Sequence, residues 1–236
     1  HLGSADLVSQ YARRLPLMVL NSLFGMPDEY APRLFTAMES VMSTDLSAKA
    51  DGEQILTAYL GTLYQMKAAQ RGRDLTSWFI DHPNGLTPEE VLNQVLITQG
   101  AAYETLAGLI ANTFLRMLSD ERYRGTVATG SLPIQHAIDD VLWTDPPLAM
   151  YSLHRPRRDI TFYGRIIQRG SPVMVSYAAV NSCPYANQAH DGYRSDHRAH
   201  LAFAAGPHEC PARSIAFVVA IAAVERLTSY LPDIEL

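Results

Sequence analysis

The stretch that begins at Thr87 constrains the fold more than any other part of the sequence. Thr87-Pro88-Glu89-Glu90 is a capping box with proline at the first helical position. Behind it the apolar pattern runs to about Leu118, which as one helix would be roughly 48 Å long at 1.5 Å per residue. Between Val91 and Leu115 the only charged residue is Glu104. A helix apolar nearly all round belongs in a core, so the spacing predicts a chain folded about one long central helix. The low charged fraction, 18% of 236 residues against 47% apolar, fits a largely buried chain.

The remaining elements follow from periodicity and punctuation. A helix is expected over Ser4–Leu23, started by Ser4-Ala5-Asp6, with Pro16 as the place for a kink. Further helices are expected over Asp28–Met42, Gly52–Ala69, Leu75–Ile80 and Ile134–Trp143, the last stopped by Asp145-Pro146-Pro147. Late in the chain the pattern changes. Asp159–Ile167 and Pro172–Tyr177 read as short strands about a Gly170 turn. Ser182–Arg198 is polar and irregular, Leu201–Cys210 is a loop, and Pro211 opens a last apolar helix that runs to about Leu227. No linker or repeat divides the chain. The expectation is a single domain over 1–236, mainly α with a small β region.

Several classes of function drop out. Lys and Arg number 19 and Asp and Glu 24, a net charge of −5, which argues against a nucleic-acid partner. The longest unbroken apolar run, Ile215–Val224, is too short to cross a bilayer. No secretory pattern opens the sequence, and two cysteines, Cys183 and Cys210, make no disulfide framework. A reducing, cytoplasmic setting is expected, with no membrane partner.

Two places carry chemistry. Cys210 precedes Pro211 and so is expected at or near a helix N-cap, where backbone amides and the dipole favour the thiolate. Such a thiolate can be a nucleophile, a redox thiol or a metal ligand. Gly206 upstream allows a tight turn or close approach of a flat partner. Cys183 has no such surroundings and reads as structural. In the long helix, Glu104 is a lone carboxylate beside the Thr105 hydroxyl, a pair that can relay protons or simply bond the helix's own carbonyls. The small residues Gly100, Ala101 and Ala102 would let something broad lie against that turn.

The run Phe203-Ala-Ala-Gly206-Pro-His208-Glu-Cys210 resembles the haem-binding loop of the cytochrome P450 family. Four of its five fixed positions match, and Ala212 stands where the final glycine is usual. Ala101-Ala102-Tyr103-Glu104-Thr105 resembles the family's oxygen-activation motif, with Ala102 in place of glycine. Ala178-Ala179-Val180-Asn181 and Pro184 resemble its Ala-Asn-Arg-Asp-Pro turn. The order of elements fits from about Ala5 to Leu236. The resemblance implies an incomplete P450-like fold whose N-terminal portion, and the short β segment after the last helix, lie outside this sequence. It implies haem b, iron protoporphyrin IX, held by the Cys210 thiolate, with Ala101, Phe203, Gly206 and His208 against the cofactor. It implies Glu104 and Thr105 as the proton-guiding pair. It also implies insertion of one oxygen atom from O2 into a small organic substrate, with electrons from NAD(P)H through a ferredoxin-type partner. The helices around Leu34–Met42 and Leu56–Met66 would roof the pocket. For the haem propionates, counting back from the first strand reaches His154, with Arg155 next to it. Both stay open, and His208 is a further candidate.

One departure stands out. Where the family carries Glu-x-x-Arg, this chain reads Asp140-Val-Leu-Trp143, as in an atypical actinobacterial subset. Trp143 cannot form the ion pair, which raises the question of what braces the Cys210 loop. Two rival readings follow. A non-catalytic homologue, serving as scaffold or auxiliary partner, would fit the lost arginine. A zinc site could draw on His190, His197, His200 and His208 beside Cys210, although their spacing matches no zinc motif.

Overall fold

The computed structural model describes residues 3–123, 134–183 and 199–236. They gather into two compact units, His1–Ala111 and Asn112–Leu236. The fold is mainly helical with a small amount of sheet.

In the first unit the first helical turn is capped by Asp6 rather than Ser4. The Asp6 carboxylate accepts the amides of Val8 at 2.9 Å and Ser9 at 3.1 Å. The expected single helix is two pieces: a π-helical turn, Val8–Ala12, and then α1, Arg14–Leu23. The seam lies just ahead of Pro16, which therefore falls in the first turn of α1, where a missing N–H leaves no bond unmade.

After a 3-10 turn come α2, Ala31–Val41, and α3, Leu46–Ala69, the latter capped by Asp45, whose carboxylate accepts the Ser47 amide at 2.8 Å. Helix α3 begins well before Gly52, where a boundary was expected. Gly52 is instead interior and marks the close crossing of α3 on α2. A Cβ there would lie 2.6 Å from Ser40 Cβ and 2.7 Å from the Val41 amide nitrogen. The glycine serves backbone approach, not termination.

Helix α4, Leu75–Ile80, follows its cap Asp74, and α5 spans Pro88–Ser119. The box at its start forms as expected: Thr87 N–H donates to Glu90 Oε2 at 2.8 Å, and Glu90 N–H to Thr87 Oγ1 at 3.2 Å. Leu17, Leu20, Phe24, Leu34, Met38, Leu56, Leu63 and Val95 close a common core. Buried among them, the Tyr59 hydroxyl donates to Asn21 Oδ1 at 2.9 Å, and Asn21 Nδ2 donates to the carbonyls of Met26 and Pro27. The expectation that α5 is buried nearly all round needs correction. Gln99 and Tyr103 are fully buried on one face, while Ile97 is 63% exposed and Ala101 is exposed on another.

In the second unit α6, Ile134–Thr144, packs against α7, Tyr177–Asn181, and α8, Arg213–Tyr230. The end of α5 is tied to α6 by polar bonds. Asn112 Nδ2 donates to the Asp145 carbonyl at 3.0 Å, and Arg116 Nη2 reaches Thr144 Oγ1 at 2.7 Å and Asp145 Oδ2 at 2.8 Å. Two small antiparallel sheets follow. Strand β1, Met150–His154, was not expected and pairs with β4, Val173–Ser176. The expected strand Asp159–Ile167 is a hairpin, β2 Ile160–Phe162 and β3 Arg165–Ile167, turned by Tyr163 (φ 46°) and Gly164 (φ 73°). Paired left-handed residues match the twist of a two-residue hairpin loop.

Helix α8 starts at Arg213 with Ala212 in the cap position. Cys210 therefore lies near the N-cap, two residues ahead of it. Its carbonyl accepts the Arg213 amide at 3.3 Å in a turn ahead of the helix, because proline fits that turn as well as it fits a helix start. Among the described residues no helix is long and apolar enough to cross a membrane.

Candidate functional site

In the second unit the loop ahead of α8 is closed on itself by three backbone bonds. Cys210 N–H donates to the Phe203 carbonyl at 2.9 Å, Ala204 N–H to Leu201 at 2.8 Å, and Glu209 N–H to Gly206 at 3.0 Å. Two of its residues are left-handed, Ala204 (φ 58°) and Gly206 (φ 66°). Glycine adopts that region freely, whereas alanine does so at a cost of about 1–2 kcal/mol. A Cβ on Gly206 would meet nothing within 4 Å, so torsion, not crowding, calls for glycine. The Cys210 side chain is a free, half-buried thiol, while Gly206 and His208 are exposed.

Aromatic rings brace this loop. His200 is buried, and its ring meets the Trp143 ring edge to face with centroids 5.9 Å apart. On its other side the centroid of Phe203 lies at 6.0 Å, and Phe203 in turn sits 5.8 Å from Phe217 of α8. Arg213 stacks over the Phe203 ring at 5.8 Å, and its Nη1 pairs with Glu209 at 3.2 Å. Asn181, also buried, adds a polar link. Its Nδ2 donates to the Leu142 carbonyl at 3.0 Å, and its Oδ1 accepts the Leu201 amide at 2.9 Å.

Asp140 keeps charged partners of its own. Its Oδ2 lies 3.3 Å from Arg122 Nη2 and 3.7 Å from Arg116 Nε. Arg122 also holds Asp120, and that hydrogen bond brings the Asp120 carboxyl down to about 2. Neither arginine was legible as a partner of Asp140 from sequence.

The two propionate candidates part company. His154, at the end of β1, lies edge to face with His208, centroids 5.9 Å apart. Arg155 Nη1 instead donates to the Gly170 carbonyl at 2.8 Å. Of the proposed zinc set, His190 and His197 lie outside the described residues, as does Pro184. Among the described residues no three His, Cys, Asp or Glu side chains are grouped to hold a metal ion.

In the first unit the Glu104 carboxylate lies 3.6 Å from Arg13 Nη2, both side chains being 41% exposed. Arg13 as its partner went unnoticed in the sequence. Thr105 Oγ1 donates to the Ala101 carbonyl at 2.6 Å, the back-bonding expected of a hydroxyl in a helix. The neighbouring Tyr103 hydroxyl is pushed up to about 12 by burial and by the Glu104 charge. A Cβ on Gly100 would meet nothing within 4 Å, so the small-residue turn has open space before it. A surface depression of about 470 Å³ on α3, lined by Ala50, Glu53, Gln54, Thr57 and Ala58, includes none of these residues.

The donor set suits an iron porphyrin. One soft thiol is held on a closed loop, and two imidazoles beside it can donate to carboxylates.

No family model matches the chain. It is similar, at 29% identity, to the cytochrome P450 monooxygenase PikC of Streptomyces venezuelae, over 99% of this chain and 58% of that one. It is 27% identical to the 2-hydroxy-5-methyl-1-naphthoate 7-hydroxylase of Streptomyces carzinostaticus, over 98% of this chain and 58% of that one. Among solved structures, a mutant of the mixed-function P450 MycG bound to mycinamicin IV matches with a TM-score of 0.87 and 25% identity, covering 98% of this chain and 61% of that chain. The chain thus spans less than two thirds of the relatives it matches. Its curated homologues are bacterial cytochrome P450s, and its fold is that of the corresponding portion of cytochrome P450 structures.

Proposed function

We propose that this chain is the haem-ligating portion of a monooxygenase that inserts one oxygen atom from O2 into a small organic substrate. NAD(P)H would supply electrons through a ferredoxin-type partner, in the cytoplasm. The observation that carries the reading is the closed Phe203–Cys210 loop, whose cysteine amide is pinned to the Phe203 carbonyl at 2.9 Å with left-handed residues at 204 and 206. When bound through a thiolate, haem b supplies an electron-rich iron suited to O–O cleavage.

The chain's own residues have definable tasks. Cys210 Sγ would hold the iron. Phe203 and Gly206 shape the loop around it, and Ala101 leaves room on α5. His208 and His154 would donate to propionates, and the contact between their rings favours His154 over Arg155 for that role. Thr105 Oγ1 donates its hydrogen bond to the Ala101 carbonyl, which leaves the oxygen as an acceptor for an incoming donor. Glu104 lies beside Arg13 and would be the carboxylate of the proton-guiding pair.

The test is the reduced, carbon-monoxide difference spectrum of the protein supplied with haem. A long-wavelength thiolate Soret band that disappears in Cys210→Ala is expected. The same band in Cys210→Ala would overturn the ligand assignment. Failure to take up haem would favour the non-catalytic homologue.

A further inference from the structure

We infer that Trp143 and His200 are positioning residues for Cys210, forming an aromatic brace between α6 and the loop. The inference rests on Cys210 being the iron ligand only for its meaning; the brace itself is a property of the polypeptide. Trp143 is the last buried residue of α6, and its ring meets His200 edge to face at 5.9 Å. His200 then contacts Phe203 at 6.0 Å. Phe203 carries the carbonyl that pins the Cys210 amide. From α6 to the thiol-bearing residue the path is therefore three rings and one hydrogen bond. A parallel path runs beside it: the Leu142 carbonyl, Asn181, and the amide of Leu201. Both paths leave α6 at adjacent residues, 142 and 143, and arrive at adjacent residues, 200 and 201. Such a double attachment fixes both the place and the tilt of the segment entering the loop.

Asp140, on the same helix, is held by Arg122 and Arg116. An arginine at position 143 would remove the ring that His200 packs on and bring a cation against buried aromatic surface.

An edge-to-face pair of this kind shifts a local closed–open equilibrium by about 2- to 10-fold. The experiment measures alkylation of Cys210 by iodoacetamide, without haem, in a Cys183→Ser background that leaves it the single thiol. Trp143→Phe and His200→Phe, which keep a ring, are expected to react at the background rate. Trp143→Ala, Trp143→Arg and His200→Ala are expected to react about 3- to 10-fold faster. Asp140→Asn, which loosens α6 without touching the rings, is expected to lower the melting temperature and leave the alkylation rate unchanged. With haem added, the ring-deleting variants should lose the thiolate band and the ring-keeping ones retain it.

The inference is overturned if folded Trp143→Ala or Trp143→Arg alkylates at the background rate, or if Trp143→Phe is as reactive as Trp143→Ala. Should Trp143→Ala not fold, His200→Phe against His200→Ala reads the same contact, and equal rates in that pair overturn it. If the alkylation pattern appears but no variant, nor the unmodified chain, gives a thiolate band, the ligand reading fails and the brace stands. A thiolate band throughout with flat alkylation rates means the reverse.

Discussion

Lys67 Nζ lies 2.7 Å from Asp74 Oδ2, with side-chain exposures of 14% and 6%. Gly25 and Gly72 wrap the pair: a Cβ on either would fall within 2.5 Å of the Asp74 carboxylate. Burial alone would raise the Asp74 carboxyl, but hydrogen bonds from Lys67 and Ser77 outweigh it, and the net effect is to hold it below the ordinary value of 3.8. The carboxylate therefore contributes stability that is complete above that value and is lost as pH falls through the depressed one. Asp74→Asn, which leaves a buried ammonium unmatched, should cost about 3 kcal/mol at pH 7. Its deficit relative to the parent should shrink on acidification below about pH 4. Urea unfolding at pH 7 and pH 3 checks both signs.

Two glycines in α3 should respond oppositely to the same substitution. Helix propensity favours alanine over glycine by about 1 kcal/mol. At Gly61 a Cβ meets nothing within 4 Å, so Gly61→Ala should stabilise by about that amount. At Gly52 the same atom would press on Ser40 and the Val41 backbone. Gly52→Ala should force α2 and α3 apart and destabilise by about 2 kcal/mol. Thermal melts of the two variants decide it.

His154, His208 and Arg155 can be ranked by haem uptake. A charge-assisted bond to a carboxylate contributes about 1.5–3 kcal/mol. His208→Ala and His154→Ala should each weaken haem affinity by about tenfold or more. Arg155→Ala, which loses a bond to the Gly170 carbonyl, should lower the melting temperature slightly and leave haem affinity unchanged. Absorbance titration with hemin reads the difference.

Thr105→Val keeps the shape of the side chain and removes the hydroxyl. The lost bond is to a carbonyl of the same helix, so stability should change by less than about 0.5 kcal/mol. Turnover in the complete electron-transfer system should fall about 100-fold if Thr105 assists proton delivery. A turnover within twofold of the parent would remove it from that role.

Much of this was legible in the residues themselves. The Phe203–Cys210 spacing marked the loop, and Thr87 with Glu90 marked the start of α5, because both are local patterns with few alternatives. What escaped was non-local or ambiguous. Met150–His154 has no clean alternation, and it is a strand because Val173–Ser176 lies beside it. Gly52 punctuates the sequence like a helix boundary, yet the reason for it is a neighbouring helix. Pro211 suits a turn or a first helical residue equally, and the helix it was expected to open starts at Arg213 instead. His200 stood out only as one of four clustered histidines, and its burial against Trp143 depends on the fold.

The left-handed alanine in the loop has a consequence for how the chain is made. At Ala204 the local torsional preference opposes the native shape. A newly synthesised loop therefore has no tendency to curl before α6 and α8 have met around it. The contacts of Phe203 with His200 and Phe217 are then expected to form before the Cys210 amide reaches its carbonyl. The thiol's cradle is accordingly expected to set late, so that substitutions in it should quicken unfolding while barely altering the rate of folding.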